Sequence, residues 1–328
     1  MSRLLPALVA AALLAGCGSA TVSELPGAAE PPRAPRAAVP AAGETFPVGA
    51  GPEGIVIHDG VAAVALREPA KLALVDLDAR RVTRLVPLPG APRHLGITDD
   101  GTALVPAEPA DRFLAVRLPD GRITERAATG TYPHDVAEIA GGVAVGDERG
   151  DSVTLVRPDG TTRATPVASQ PGGLAPLRGG RLLAVVSVRE RAVEILDGTT
   201  LERLARAPAG VGPTHIACRE TGPCYVLDTQ GDAVLVLQVS PDGRAARVTR
   251  RVFLPGGPYG VALDEPRARL WVTTPGNNQL AELAAHGRPH VLSRTPTVRQ
   301  PDSVAVDART GAAVVTGRTA GLLQIVRP

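Results

Sequence analysis

Three of the six histidines in the chain, His94, His134 and His215, stand one or two residues after prolines that recur about every 40 residues. Acidic residues occupy the same place after other prolines, as Glu53 and Asp302 do. Imidazole and carboxylate groups are side chains that hold zinc and other divalent transition metals in proteins. If the chain folds so that these positions converge, the sequence supplies a candidate metal site with histidine ligands.

The polar residues that follow these prolines form a larger set, which includes an arginine and a tyrosine that could assist a reaction. We identify this set as the candidate ligand site: Glu53, Arg93, His94, His134, Asp135, Thr214, His215, Tyr259, Asp302 and Ser303. Its possible metal ligands are the three histidines. The alternative interpretation is structural, because a narrow polar opening needs polar side chains and water whatever the protein does.

The element that must position these residues is a long repeat. Seven prolines are each followed, after two residues, by an apolar, small, apolar triplet; the spacings between the prolines are 40, 41, 38, 42, 45 and 43 residues. Between them lie short strand-like segments separated by Asp-Gly or Gly-Gly turn residues, without helical periodicity. A period in this range is typical of β-propeller blades of four strands each.

The last repeat, residues 301–328, has room for three strands only. Residues 44–49 resemble the outer strand of other repeats, such as residues 83–88. Pairing this segment with the last blade would close the ring and remove two exposed sheet edges. We therefore predict an all-β domain over residues 44–328, a seven-bladed β-propeller of four-stranded antiparallel blades in which the N-terminal strand completes the last blade.

Two stretches of the repeat, residues 64–92 and 270–278, resemble the YVTN repeats of bacterial YncE-like proteins. The resemblance covers nearly all of residues 44–328, although the Tyr-Val-Thr-Asn tetrad is not intact and Trp271 to Thr274 come closest. It implies the propeller fold and leaves the function open, since propellers host lyases, lactonases and interaction platforms alike. The histidine pattern also resembles propeller lyases in which histidines from different blades share a metal and a tyrosine or arginine assists.

The N-terminus reads as an export signal. Arg3 precedes an apolar run of eleven residues, 4–14, which is too short to span a bilayer core of about 30 Å. The run ends in Leu-Ala-Gly-Cys, which resembles the lipobox of bacterial lipoproteins, whose cysteine receives a diacylglyceryl group. We predict that residues 1–16 are a signal peptide and that Cys17 anchors the protein to the extracytoplasmic face of the cell membrane. The alternative is an ordinary secretory signal that contains a cysteine.

The next segment is expected to connect the lipid to the propeller. Residues 18–43 hold five prolines, many alanines and no long apolar run. Such a composition cannot bury enough surface to offset chain entropy. We therefore predict a flexible lipidated tether over residues 17–43.

The other two cysteines, Cys218 and Cys224, are six residues apart. Residues 216–218 read as the innermost strand of the fifth repeat, and residues 219–223 contain a Gly-Pro turn, so the cysteines flank one hairpin. Their Cα atoms could then lie within the roughly 4.4 to 6.8 Å that a disulfide needs. Export favours the bond. The alternative, a thiol pair for metal or redox chemistry, lacks the C-x-x-C spacing and nearby matching ligands.

Composition narrows the function. The formal net charge is +2, lysine occurs once among 35 basic residues and aromatic residues number seven, so we expect no nucleic-acid partner. Charged residues in the loops after the second strands, such as Arg67 and Glu148, are expected to be solvated; the alternative is a surface that binds a partner. We found no G-x-S-x-G elbow, P-loop or His-Glu-x-x-His motif in the sequence.

Two functions remain open. The first, which we favour, is a non-enzymatic binding or interaction platform in the cell envelope. It would be a monomer held to the membrane by its lipid, and it would present one face to a protein, peptide or small-molecule ligand. The alternative is a metal-assisted lyase or hydrolase that acts on a small molecule at the mouth of the central channel. A divalent metal is the only cofactor that the residues suggest.

Overall fold

The computed structural model describes residues 27–328 and consists almost entirely of strands. Over this range, 28 strands form seven sheets of four, and each sheet is one blade. Two short 3-10 helices, Glu108–Ala110 and Pro275–Asn277, follow the second strands of blades 2 and 6.

The strands of the first four blades run in chain order. Blade 1 contains β2 (Pro52–His58), β3 (Val61–Arg67), β4 (Ala70–Asp76) and β5 (Arg81–Pro87); blade 2 contains β6 (Gly96–Ile97), β7 (Thr102–Ala107), β8 (Arg112–Arg117) and β9 (Arg122–Ala128); blade 3 contains β10 (Pro133–Ile139), β11 (Gly142–Asp147), β12 (Ser152–Val156) and β13 (Thr162–Pro166); blade 4 contains β14 (Pro171–Leu177), β15 (Leu182–Ser187), β16 (Ala192–Asp197) and β17 (Arg203–Pro208).

The last three blades complete the ring. Blade 5 contains β18 (Pro213–Cys218), β19 (Cys224–Asp228), β20 (Ala233–Val239) and β21 (Ala246–Phe253); blade 6 contains β22 (Val261–Asp264), β23 (Arg269–Thr274), β24 (Gln279–Ala284) and β25 (Val291–Pro296); blade 7 contains β26 (Pro301–Asp307), β27 (Ala312–Gly317) and β28 (Leu322–Val326), and its fourth strand is β1 (Glu44–Pro47). The predicted seven-bladed propeller is confirmed.

The closure of the ring depends on β1. It pairs antiparallel with β28, with Phe46 opposite Leu323. Phe46 and Val48 are buried in one apolar cluster with Leu323 and Ile325. The N-terminal strand therefore supplies both hydrogen bonds and core to blade 7, as the short last repeat predicted.

The hydrophobic core is divided among the blade junctions. Seven buried clusters occur within the described chain, one between each pair of neighbouring blades. For example, Phe113 of blade 2 packs with Val145 of blade 3. Apolar side chains point to both faces of the inner strands, because each sheet is covered on both sides by its neighbours. The central channel is lined by other residues, described below.

The N-terminal part of the described chain follows the propeller surface. Ala29 and Ala34 are 7% and 2% exposed, and the side chain of Asn278 donates a hydrogen bond to the carbonyl of Pro35 (3.0 Å). The predicted signal peptide and residues 17–26 of the predicted tether, which include Cys17, lie outside the described residues. Of the remaining tether, residues 27–43, a part contacts the ring. No helix in residues 27–328 has the length and apolarity needed to cross a membrane.

The disulfide between Cys218 and Cys224 is present and joins β18 to β19. The two residues are direct partners in the hairpin register, and their Cα atoms are 3.9 Å apart, closer than the range expected from the sequence. The bond closes a loop of only six residues. Its stabilising effect is therefore expected to be small.

We expect reduction of this disulfide, or its removal in the Cys218→Ser/Cys224→Ser variant, to cost about 2 kcal/mol at most, because short loops lose little entropy on closure. Thermal melting with and without reductant should show a shift of a few degrees and a ring that remains folded. Two free thiols, mapped to these positions by mass spectrometry of the natively exported protein, would contradict the prediction.

Candidate functional site

The candidate site lies at the end of the central channel where the chain enters the inner strands. In five blades the inner strand begins at the repeat proline, and its register shifts just afterwards, as between Pro133 and Asp135 or between Pro213 and Ile216. Such a bulge changes the direction of one or two side chains relative to the ladder. In these five blades, the bulge lets residues that follow the proline turn toward the channel axis. We call this end of the channel the mouth.

His94 and His215 meet across the mouth. They come from blades 2 and 5, and their Nε2 atoms are 3.0 Å apart. The Nδ1 of His215 lies 2.9 Å from the carbonyl oxygen of Tyr259. Because a carbonyl only accepts, this Nδ1 carries the proton and the Nε2 of His215 holds a lone pair. The edge of the Tyr259 ring also packs on His215, with 4.4 Å between ring centroids.

Glycines permit this close approach of inner strands. A Cβ on Gly173 would lie 2.8 Å from the carbonyl oxygen of Thr214 and 2.9 Å from the Cα of His215. A Cβ on Gly54 would lie 2.6 Å from the carbonyl oxygen of Arg93. These distances are below van der Waals contact, so the two positions require glycine for the backbones that carry His215 and His94 to sit where they do.

His134 of blade 3 completes the histidine group. Its ring centroid is 4.8 Å from that of His94, and one nitrogen of each of the three imidazoles lies within 4.8 Å of one nitrogen of the others. The Nδ1 of His134 is 2.8 Å from Glu108 Oε1 and 3.5 Å from Glu148 Oε2. With Nδ1 engaged by carboxylates, Nε2 is the free ring nitrogen of His134.

The carboxylate that bonds His134 is itself held by an arginine. Arg67 Nη1 donates to Glu53 Oε2 at 2.9 Å and to Glu108 Oε2 at 3.1 Å. Arg67 thus fixes the carboxylate that orients the imidazole of His134. Carboxylate to histidine hydrogen bonds of this kind orient histidines around metals.

The protonation states favour neutral imidazoles at two of the three positions. Burial, together with the neighbouring histidines, lowers the pKa of His94 well below its ordinary value. Burial likewise lowers the pKa of His215 to about 3, with His134 contributing. Burial alone would lower the pKa of His134, but the hydrogen bond and charges of Glu108 and Glu148 raise it above its ordinary value.

A second polar group lies beside the histidines. Glu53 Oε1 is 3.1 Å from Arg318 and 3.6 Å from Arg93, and Arg318 is 3.7 Å from Asp302. Asp302 also accepts a hydrogen bond from the side-chain amide of Gln300 at 2.9 Å. Burial raises the pKa of Tyr259, while the charge of Arg93 acts in the opposite direction. These contacts bring most of the residues predicted from the sequence into one network.

The carboxylate of Asp135 is held by backbone groups. Its carboxylate accepts the backbone N–H groups of Val136 and Leu174, each at 2.8 Å, and it lines a deeper cavity of about 160 Å³ in the channel. Thr214 hydrogen-bonds to Thr229 at 2.7 Å. Ser303 lines the same deeper cavity as Asp135. Asp135 and Ser303 line this cavity together with His94 and His215, and Thr214 lies beside His134 and His215 in the small space at the mouth.

Residues beyond the predicted set belong to the site. Glu108, Arg318, Glu30 and Gln300 were not predicted, and Arg67, expected to be solvated, has a side chain only 22% exposed. The signal for three of them is positional: Arg67, Glu108 and Arg318 stand at equivalent places at or just after the second strands β3, β7 and β27. The second strands therefore supply the outer part of the mouth.

The paired nitrogens of His94 and His215 have a spacing that fits a divalent metal ion. Two nitrogen ligands of a tetrahedral zinc ion lie about 3.3 Å apart, since each bond is about 2.0–2.1 Å long. The 3.0 Å separation of the His94 and His215 nitrogens is close to that value. A second group, Glu108, His134 and Glu148, also brings three ligand atoms within 4.8 Å. It uses the opposite nitrogen of His134 and a carboxylate already bonded to Arg67, so the histidine group fits better.

Glu108 is expected to act on the metal through His134. In the Glu108→Gln variant we expect zinc affinity to fall about 10- to 100-fold, because a neutral amide supports the Nδ1 proton less strongly than a carboxylate. Isothermal titration with zinc checks this, with Glu202→Gln on an exposed strand connection as the control. Unchanged affinity in Glu108→Gln would exclude the positioning role.

Asp302 predicts a pH dependence of stability. Burial, with Glu53 adding to it, raises the pKa of Asp302 from 3.8 to about 6 against the effects of Gln300, Arg318 and Arg93. Between these two pKa values the folded chain keeps a proton that the unfolded chain loses. The contribution of Asp302 to the free energy of unfolding therefore falls as the pH rises from about 4 to about 6. Urea unfolding should show Asp302→Asn gaining up to about 3 kcal/mol over the native chain between about pH 4 and about pH 7. Parallel pH profiles of the two proteins would contradict this.

Comparisons with known proteins find solved structures of similar fold. No family model matches the sequence, and no curated protein matches it. The solved structures that resemble it include a streptogramin B lyase, with 14% identity and a TM-score of 0.73 over 87% of this chain and 97% of that chain. The virginiamycin B lyase of Staphylococcus aureus gives 14% and 0.73 over 87% and 98%. The propeller domain of Cps50 (Swd1) from Myceliophteria thermophila gives 12% and 0.73 over 87% and 100%.

These likenesses establish the propeller fold, which lyases and other proteins share. The YncE-like resemblance remains a prediction from the repeats.

Proposed function

We propose that this protein is a lipid-anchored, extracytoplasmic propeller that binds one divalent transition-metal ion at the mouth of its channel. The observation that carries the proposal is the convergence of His94, His134 and His215 within 4.8 Å. Two of the three rings have their outer nitrogen fixed, one by Glu108 and one by a backbone carbonyl. This leaves the inner nitrogens to face one point.

The chemistry of the ligands favours a late first-row metal. Imidazole suits zinc, copper, iron and nickel, whereas calcium and magnesium take oxygen ligands. Four carboxylates lie around the group, Glu53, Glu108, Glu148 and Asp302, against three arginines that pair with them, Arg67, Arg93 and Arg318. We choose zinc as the probe, since it has no redox chemistry to complicate the measurement.

The proposed cellular location rests on the resemblance of residues 14–17 to a lipobox. Cys17 and Ala29, the first buried residue of the described chain, are twelve positions apart. Twelve residues span at most about 40 Å. Because Ala29 lies over the mouth, an anchor at Cys17 would hold the mouth side of the ring toward the membrane. Membrane fractionation of Cys17→Ser tests this, and a variant that stays in the membrane fraction would refute the anchor.

Zinc titration tests the metal site. The detergent-solubilised full chain should bind one zinc ion per molecule with micromolar or tighter affinity, and magnesium should not compete. The bound metal should also raise the melting temperature, because it binds the folded chain only. An absence of saturable binding, or equal binding of magnesium, would reject the proposal.

A second candidate is a metal-assisted lyase or hydrolase at the same mouth. Tyr259 and Arg93 lie beside the histidines, as an assisting acid and an anion-binding group would. Solved propellers of similar fold include lyases, and one is described as a catalytically inactive histidine variant bound to quinupristin. Incubation of the zinc-loaded protein with quinupristin, followed by mass spectrometry, tests this activity. We place binding first because, with Ala29 and Glu30 in place, the space above the histidines is only about 10 Å³, so a substrate could enter only after this part of the chain moves.

A further inference from the structure

A segment near the N-terminus lies across the mouth. We call residues 29–35 the cover segment. Ala29 belongs to the same buried cluster as Val188 and Ala209, at the junction of blades 4 and 5. At the other end, the N–H of Ala34 donates to Gln300 Oε1 at 2.8 Å, beside blade 7. The cover segment is thus held on both sides of the channel axis.

The attachment of the cover segment is light. Apart from the two buried alanines it consists of a few side-chain hydrogen bonds, such as Gln300 Nε2 to the carbonyl of Pro32 (3.2 Å) and Arg299 Nη2 to that of Ala34 (3.3 Å). It pairs with no strand of the ring. Segments with so few buried contacts open at low free-energy cost compared with the blades.

The acidic residue of the cover segment, Glu30, sits over Arg93. Glu30 Oε2 is 3.6 Å from Arg93 Nη2, and the other carboxylate near this guanidinium, Glu53, is also 3.6 Å away. Both distances exceed the 2.7–2.9 Å of a charge-assisted hydrogen bond. The Arg93 side chain is only 20% exposed. Arg93 is therefore a half-buried cation, and neither of its two carboxylate partners approaches it as closely as a charge-assisted hydrogen bond would.

A groove runs from this point. Its volume is about 490 Å³, and Glu30 forms one wall of it. If Glu30 moves away, two carboxylates remain in the groove, those of Glu148 and Asp151. The arginines that line the groove number four: Arg67, Arg93, Arg149 and Arg189. The groove and the small space above the histidines share Glu30, Arg93, Glu148 and Gln170 as walls. Without the cover segment, the groove would open directly onto His134 and His215.

We propose that the mouth binds a small organic carboxylate, that its carboxylate replaces Glu30 on Arg93, and that the cover segment leaves when it binds. The geometry of Glu30 over Arg93 marks the place of the ligand carboxylate. One part of the inference rests on the proposed function: a second oxygen of the ligand would contact the metal ion. Binding to Arg93 does not require the metal.

Calorimetry with malonate, on protein without zinc, tests the carboxylate site. We expect a variant lacking residues 29–35 to bind malonate at least tenfold more tightly than the full chain, with a smaller gain for Glu30→Gln in the full chain. In the deletion variant, Arg93→Gln should abolish the gain, whereas Arg294→Gln on the exposed strand β25 should not. Equal affinity of the full chain and both cover variants, or a gain that survives Arg93→Gln, would overturn the proposal.

Displacement of the cover segment has its own readout. The peptide bond after Arg33 precedes the buried Ala34 and should resist trypsin while the cover segment is docked. Malonate at saturating concentration should speed cleavage at Arg33 several-fold in the full chain. Unchanged cleavage under saturation would contradict displacement. Zinc titration separates the two claims, since loss of zinc binding with intact malonate binding rejects only the proposed function.

Discussion

Replacing His94, His134 or His215 by glutamine should lower zinc affinity by more than about 100-fold in each case. A single lost ligand should cost more than loss of a partner that merely orients a ligand, which costs about 10- to 100-fold. The three imidazoles are treated alike because one nitrogen of each lies within 4.8 Å of the other two, so the proposal makes each a ligand. Calorimetric zinc titration of the three variants and the native chain measures the effect.

Glutamine is preferable to alanine here because two of the histidines are buried. His134 and His215 are 3% and 7% exposed, and each donates to a buried acceptor that alanine would leave unpaired. His94 is partly exposed and gives the cleanest variant. His286→Gln and His290→Gln, on an exposed connection, serve as matched controls. If the controls lose as much affinity as the cluster variants, zinc binds elsewhere.

Deleting residues 44–49 should lower the free energy of unfolding more than any other change proposed for this protein. The deletion removes β1, leaves the edge of β28 unpaired and exposes the apolar cluster of blade 7 that Phe46 and Val48 cover. Unpaired edges also promote aggregation. We expect a loss greater than the about 3–5 kcal/mol that truncation of one buried phenylalanine causes, together with self-association. Thermal melting and sedimentation velocity measure both.

Two point variants calibrate this deletion. Phe46→Ala keeps the strand and should lose only the packing part, whereas Thr45→Ala on the exposed side of β1 should behave like the native chain. A deletion variant that stays monomeric and melts at the native temperature would show that β1 does not hold the ring together.

The blades were predictable because a propeller repeats its sequence signals with its structure. Each proline and triplet recurs at the same place in the blade, and the short last repeat required a strand from elsewhere. The repeat also places the residues after the prolines at one end of the channel. It does not say which of them point inward, since His134 follows its proline by one residue whereas His94 and His215 follow theirs by two.

The rest of the site depends on contacts that the repeat does not encode. Glu108 and Arg67 lie at the ends of second strands, in connections whose sequences vary, so their pairing across blades 1 and 2 is visible only in the structure. The bulges after the prolines determine which neighbouring residue turns to the mouth, and they turn Asp135 to backbone partners.

The cover segment shows a further limit of composition. Residues rich in proline and alanine have no core of their own, which correctly suggests that they form no separate domain. Their docking depends on a surface built by distant parts of the chain, such as Asn278 and Gln300. Local sequence carries no signal for such a contact.

The most direct test of the metal site is an anomalous difference map from a zinc-soaked crystal. The proposal predicts one strong peak at the mouth, about 2.0–2.1 Å from the Nε2 atoms of His94, His134 and His215. A peak on the other side of the His134 ring, between Nδ1, Glu108 and Glu148, or a mouth without any peak, would contradict it.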